Sequence, residues 1–175
     1  MEPEVHIIEK YFQEFCKCFT MTNIKCEGNK EIDLLAINPI TMERYHIESR
    51  ISTTFKLRLE ATYTKNGRCH KNGLDYFHKE KFEHPAVKKK IRELFGNEKY
   101  TKVLFIWDAQ DKFADTPRIA KEKYCIEIMG LRAVIGVFKE LKLPSGSRDD
   151  VLRIMELVSL VDKEEESLRS KIAKS

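Results

Sequence analysis

The sequence predicts a single α/β domain built around a mixed β-sheet, and three observations predict that class. Apolar residues near the N-terminus recur at steps of three and four, which indicates an amphipathic helix. Two segments of alternating apolar and polar residues flank Asn38 and Pro39, which indicates an antiparallel hairpin. Residues 102–107 (KVLFIW) form a near-continuous apolar run, as is typical of a strand covered on both faces. The resulting order is helix, three strands, helices, strand, helix, strand and helices.

The N-terminal part of the chain divides into one helix and three strands. The helix is predicted over 4–19, and strands are predicted over 20–26, 31–38 and 43–52. Pro39 ends the second strand because proline cannot donate a hydrogen bond to a strand ladder. The predicted buried stripe of the helix consists of Val5, Ile8, Phe12, Phe15 and Phe19.

The remainder of the chain contains strands and helices in alternation. A helix is expected to begin at Pro85, which suits the first helical turn, and to stop at Gly96. The other predicted elements are a short helix over 74–82, strands over 102–107 and 124–129, and helices over 130–141 and 149–172. We therefore expect one domain over 1–175, with a core at about 4–128 and a C-terminal helical extension at about 130–172.

Composition excludes several classes of protein. With 42% hydrophobic and 34% charged residues, the chain is not expected to be disordered. It contains no apolar run of the roughly 18 residues that a membrane helix needs, and the acidic start Met1-Glu2-Pro3-Glu4 lacks a signal-peptide core. Five scattered cysteines indicate reduced thiols, so a cytoplasmic location and no membrane partner are expected. The net charge of +4 permits nucleic-acid binding without requiring it.

The hairpin carries the most informative pattern of charges. If residues 39–42 form a four-residue loop, Asn38 pairs with Glu43, and counting back places Asp33 directly opposite Glu48. Directly opposed like charges destabilise a sheet, and a hard divalent cation that prefers carboxylate oxygens gives a reason to keep them. A loop one residue longer or shorter would reverse this parity.

A purely structural interpretation of the same face also stands. Glu31 falls opposite Arg50 in the predicted register, so these two side chains could form a cross-strand ion pair. Asp33 and Glu48 would then be solvated carboxylates without a ligand. His46 lies on the face of these two carboxylates and is interpreted as a half-buried strand histidine.

The hairpin also resembles a known family. Residues 28–36 (GNKEIDLLA), followed by 45–50 (YHIESR), are similar to the core of the PD-(D/E)xK nuclease superfamily, which includes the Holliday-junction resolvases. The resemblance covers roughly residues 4–107. It implies a restriction-endonuclease-like αβββαβ core, with a central mixed sheet flanked by helices and followed by C-terminal helices. It also implies that Asp33 and Glu48 bind Mg²⁺ or Mn²⁺ and that the protein cleaves phosphodiesters.

The sequence departs from the family pattern at one position, where Arg50 takes the place of the lysine. A guanidinium can hold a phosphate through its forked donors. It is a poor proton acceptor because its pKa exceeds about 12. Arg50 is therefore expected to bind the scissile phosphate. Lys56 is a second possible source of an ammonium group.

Many members of the superfamily add a glutamate from the first helix. The candidates in this chain are Glu4, Glu9 and Glu14. At 100° per residue, Glu14 points away from the apolar stripe, whereas Glu4 and Glu9 flank it. A glutamate that reaches the sheet should flank the buried stripe, so Glu9 is predicted to join Asp33, Glu48 and Arg50 in the catalytic site.

The function expected from these features is a metal-dependent endo- or exonuclease on nucleic acid, with DNA favoured over RNA. Basic residues over 79–102 could follow a nucleic-acid backbone, although interspersed glutamates favour an ordinary charged helix surface. One alternative is a catalytically inactive nucleic-acid-binding module of the same fold. Another is a protein-interaction domain that self-associates through helix 149–172. A twofold homodimer would suit a two-stranded substrate.

Overall fold

The computed structural model describes residues 2–51, 73–107 and 116–140 of the chain. Two compact units are distinguished, Met1–Leu131 and Arg132–Ser175. The predicted helix 149–172 and Lys56 lie outside the described residues.

The described elements follow the predicted order. Helix α1 is followed by three strands, and a short helix α2 continues directly into a π-helical segment. The bounds are α1 Pro3–Glu14, β1 Phe19–Cys26, β2 Lys30–Ile37, β3 Arg44–Arg50, α2 Leu74–Tyr76, the π-helical segment Phe77–Phe82, α3 Pro85–Phe95, β4 Thr101–Ile106, α4 Thr116–Tyr124, β5 Ile126–Gly130 and α5 Leu131–Glu140. The predicted limits of α3 are confirmed, since Pro85 stands in its first turn and Gly96 follows its last residue with a φ of 73°.

The five strands form one mixed sheet in the order β1-β2-β3-β4-β5. Strands β1, β2 and β3 are antiparallel neighbours, because short turns connect them. Strands β3, β4 and β5 are parallel neighbours, and helices occupy the connections between them. The predicted α/β class with a mixed sheet flanked by helices is confirmed.

The two faces of the sheet carry different helices. On one face the ring of Phe12 in α1 lies 5.2 Å from that of Tyr45 and 6.4 Å from that of Phe105. The next residue of β3, His46, points to the other face, where its ring lies 4.7 Å from that of Phe82 in the π-helical segment. Helix α3 packs on this second face, against the residue of β2 that pairs with His46.

The end of α1 differs from the prediction of a helix over 4–19. The helix ends at Glu14, Lys17 adopts a φ of 54°, and Phe19 begins β1 opposite Ile37. Phe19 is 71% exposed, whereas Val5, Ile8 and Phe12 are buried as predicted. The apolar period continues past the helix by coincidence, because pairing with β2 determines the conformation of this segment.

The part of the chain that the structure describes contains no helix long and apolar enough to cross a membrane.

The placement of these aromatic residues predicts a contrast in stability. Phe12→Ala removes a side chain that is 2% exposed and should lower the free energy of unfolding by about 3–5 kcal/mol. The control Phe19→Ala removes an exposed ring and should change it by less than about 0.5 kcal/mol. Urea denaturation of the three proteins measures both effects. Equal losses in the two variants would contradict the observed end of α1.

Candidate active site

The side chain of Asn38 stabilises the hairpin turn between β2 and β3. Its Oδ1 accepts hydrogen bonds from the backbone N–H of Ile40 at 2.8 Å and of Thr41 at 3.0 Å. Met42 has a φ of 61°, which closes the loop, and the N–H of Asn38 donates to the carbonyl of Glu43 at 2.9 Å. The loop therefore contains four residues, as predicted.

The loop fixes the register of β2 and β3. Leu34 pairs with Ile47, so the predicted register is the observed one and Asp33 comes next to Glu48 across the two strands. The carboxylate of Asp33 accepts the backbone N–H of Ser49 through Oδ2 at 2.8 Å. The Asp33 side chain thus accepts a hydrogen bond from the backbone of β3 just beyond the last pair of β2 and β3, and this bond holds the carboxylate in place.

Glu48 is a fully buried carboxylate that contacts a hydrogen-bond donor, His46, and a cation, Lys81. Its Oε1 lies 2.9 Å from Nε2 of His46, which is also 0% exposed. An ionised carboxylate only accepts, so Nε2 must carry the proton and donate. The Nζ of Lys81 lies 2.5 Å from Oε2. Among the described residues neither Oε2 nor His46 Nδ1 has a hydrogen-bond partner of ordinary geometry, so the contact with Lys81 is an ion pair.

Lys81 brings the two carboxylates together. Besides Glu48, its Nζ contacts Oδ1 of Asp33 at 3.6 Å. Sequence reasoning missed this residue, because Lys81 is one of many lysines in a charged helical region and lies far from the hairpin in the chain. Its position in a π-helical turn has no sequence signal, although such turns are frequent at functional sites.

The pKa values of the two carboxyl groups move in opposite directions. Burial and the charge of Glu48 raise the pKa of Asp33 to about 7, and Lys81 and the Ser49 N–H offset this only in part. Burial would also raise the pKa of Glu48, but the hydrogen bond from His46 and the charge of Lys81 hold it below its ordinary value. Burial opposes the charge of Lys81, yet Glu48 and Asp33 raise its pKa. Glu48 and Lys81 therefore stay charged at neutral pH, while Asp33 exchanges its proton there.

A cleft of about 780 Å³ opens beside these groups. Asp33, Arg50 and Lys81 line it together with Lys25 and Tyr76. The predicted phosphate ligand Arg50 therefore faces the same space as the carboxylate–lysine group. The predicted opposite neighbour of Arg50, Glu31, also lines the cleft and forms an ion pair with Lys25.

The structure does not bring Glu9 to this group. Its Oε1 accepts a hydrogen bond from Oγ1 of Thr20 at 2.9 Å, and Thr20 pairs with Ala36 on the face that α1 covers. The acidic residue of this region that lines the cleft is Glu2, whose charge contributes to the raised pKa of Asp33. Glu2 lies just before α1, so it is not one of the helix glutamates that the sequence predicted as candidates for the site.

The basic residues of the α3 region are paired with acidic neighbours. Lys88 contacts Glu83 at 3.2 Å, Lys89 contacts Glu27 at 2.5 Å, and Lys90 contacts Glu93 at 2.8 Å. Arg92 and Lys102 likewise pair with Glu98 and Glu83. This pairing favours the interpretation as an ordinary charged helix surface, because each of these five positive charges has a negative one beside it.

No protein-family model, curated protein or solved structure matches this chain. The fold and the site define an α/β protein in which two neighbouring strands and a π-helical turn place two carboxylates around one ammonium group.

The raised pKa of Asp33 predicts a pH-dependent loss of stability. In the folded protein Asp33 keeps its proton up to about pH 7, whereas in the unfolded chain it loses the proton near its ordinary pKa of 3.8. The free energy of unfolding therefore falls as the pH rises between these two values. Asp33→Asn should be less sensitive to pH, because it keeps an acceptor for the Ser49 N–H but does not ionise. Between about pH 5 and 7 the wild type should lose about 1–2 kcal/mol relative to the variant.

Urea denaturation in EDTA at several pH values measures this difference. The 22% exposure of the Asp33 side chain keeps the expected loss below the full value for such a shift. Parallel stability profiles for the two proteins would show that Asp33 ionises as readily in the folded protein as in the unfolded chain.

Proposed function

We propose that the protein is a Mg²⁺- or Mn²⁺-dependent phosphodiester hydrolase that acts on nucleic acid. One observation carries the proposal. Carboxylates of two neighbouring strands, Asp33 and Glu48, converge on one ammonium at the wall of a cleft that Arg50 also lines. Few structural roles require two carboxylates to meet in this way, since like charges at such separation repel.

The proposed fold is the restriction-endonuclease-like αβββαβ core. The order α1, β1, β2, β3, α3 and β4 agrees with that core, with α2 and the π-helical segment inserted before α3. The proposed catalytic carboxylates also stand on the second and third strands, as the resemblance implies. These agreements support the proposed fold.

The donor set fits a hard divalent cation. Among the described residues no group of three or more His, Cys, Asp or Glu side chains is placed to hold a metal ion. Mg²⁺, however, commonly takes one or two protein carboxylates and completes its shell with water and phosphate oxygens. Asp33 Oδ1 and Glu48 Oε2 already share the Lys81 ammonium, which marks a position that favours positive charge. These two residues would hold the ion.

When bound, such an ion supplies Lewis-acid polarisation of a phosphate oxygen and activation of water. The chain's own groups do the remaining work. Arg50 binds the phosphate through its fork of donors. Lys81 supplies the ammonium that the strand lacks where Arg50 replaces lysine. His46 holds Glu48 in one orientation through its Nε2–H.

A non-cleaving nucleic-acid-binding module of the same fold is the second candidate. The observation that favours it is the Lys81–Glu48 ion pair, which covers one of the two metal-binding carboxylates.

DNA as the preferred substrate, a twofold homodimer and a cytoplasmic location remain predictions. The free thiols of Cys16, Cys18, Cys26 and Cys125 are compatible with a reducing compartment.

A cleavage assay tests the hydrolase. With Mg²⁺ or Mn²⁺ the wild type should cut single-stranded, duplex or branched DNA, or RNA, and EDTA should stop it. Asp33→Asn and Glu48→Gln should abolish cutting, because each keeps its shape but loses a charged ligand. Arg50→Ala should lower the rate by about 100-fold, as does loss of a donor to the transition state. Arg50→Lys should retain activity.

Glu9→Gln is the matched control for these variants. It changes a carboxylate that bonds Thr20 on the other face of the sheet, so cutting should be unchanged. Binding without cutting by the wild type would favour the inactive module. Cutting that survives both EDTA and Asp33→Asn would place the activity elsewhere.

A further inference from the structure

The Glu48 carboxylate is covered in the structure, although a metal ligand must be reached by metal. Glu48 is 0% exposed, and its Oε2 is buried without a hydrogen bond of ordinary geometry to any residue in the described part of the chain. The Nζ of Lys81 lies 2.5 Å from that oxygen. Lys81 itself lines the cleft and keeps 25% of its side chain exposed. A cation that enters from the cleft therefore meets the ammonium before it meets Glu48.

The same ammonium also contacts the second carboxylate. Lys81 Nζ lies 3.6 Å from Asp33 Oδ1, so it lies between the two groups that a divalent ion would bridge. A divalent ion and an ammonium repel each other at such short separations. A divalent ion that bound these two oxygens would therefore compete with the Lys81 ammonium for them.

Lys81 can change position without disturbing the fold. Two buried aromatic residues anchor its segment, since Phe77 is 2% exposed and Phe82 is 0% exposed. The lysine stem carries four rotatable bonds, so the ammonium can swing while the backbone stays fixed. The cleft offers it water and, on the proposed function, a substrate phosphate.

We propose that Lys81 is an internal counter-cation that a divalent ion must displace from Asp33 and Glu48. The inference rests on the proposed function. Without metal, Lys81 balances the charge of Glu48, contacts Asp33 and keeps the site folded. When metal binds, Lys81 leaves the carboxylates for the cleft, where its charge is available to the substrate phosphate. Lys81 thus sets the metal affinity of the site and contributes to the catalytic step.

Calorimetric titration with Mn²⁺ tests the competition without any measurement of activity. Lys81→Met removes the ammonium but keeps an unbranched side chain, and the dissociation constant should fall by about 10-fold or more. Lys81→Arg should bind Mn²⁺ no more tightly than the wild type, because a guanidinium holds carboxylates through two donors. The control Lys79→Met removes the same charge from an exposed position of the same π-helical segment, and should bind as the wild type does.

The outcomes separate the inference from the proposed function. Tighter binding by Lys81→Met alone supports the displacement. Equal binding by the wild type and Lys81→Met overturns it and leaves the metal-dependent hydrolase standing. Equal tightening by Lys79→Met and Lys81→Met would reduce the effect to overall charge and would also overturn it. No binding by any of the proteins would end both the displacement and the metal-dependent function.

A second measurement follows the wild type itself, so its readout does not depend on the folding of Lys81→Met. The side-chain ammonium of Lys81 should give a distinct NMR signal in EDTA, identified by its loss in Lys81→Arg. Mg²⁺ should move that signal to the position of solvated lysines. A signal that Mg²⁺ leaves in place, at concentrations that saturate the site in a parallel calorimetric titration with Mg²⁺, would overturn the displacement.

Discussion

The buried charge of Glu48 is the constraint on which the site depends. An ionised carboxylate without solvent requires donors and a positive charge close by, and here His46 and Lys81 supply them. Removing either partner would leave the buried Glu48 charge less well compensated and would destabilise the site. The pair links β3 to the π-helical segment.

The packing of the π-helical segment serves this link. Phe82 closes over the His46 ring, and Phe77 joins the buried cluster that contains Leu104 of β4. Two buried anchors therefore fix the short stretch of backbone that carries Lys81. A π-helix has wider turns than an α-helix, so its side chains leave the backbone in different directions. In this segment Lys81 points towards the carboxylates, while Phe77 and Phe82 on either side of it in the chain pack against buried residues.

The two carboxylates of the site have unequal roles because their surroundings differ. Glu48 has the His46 donor and the closer contact with Lys81, so it holds its charge. Asp33 has one backbone donor, a distant share of Lys81 and an anion beside it, which together leave its proton exchangeable near neutral pH. Environments that drive the pKa values of neighbouring acids apart are common at sites that perform acid–base or metal chemistry. This difference in pKa is consistent with the proposed function.

The sequence by itself determined the hairpin and the meeting of its carboxylates. The Asn38 turn and strict alternation along each strand act over a few residues, so they fix which side chains share a face. Only the tertiary structure decided the rest of the site. The end of α1 depends on strand pairing by Phe19. The packing of α1 on the sheet places Glu9 beside Thr20, away from Glu48, and leaves Glu2 at the cleft. Lys81 arrives through the packing of Phe77 and Phe82 onto the sheet, a set of contacts between residues far apart in the chain. Periodicity describes neighbours along one element, whereas a charge supplied from another element depends on how the two elements pack.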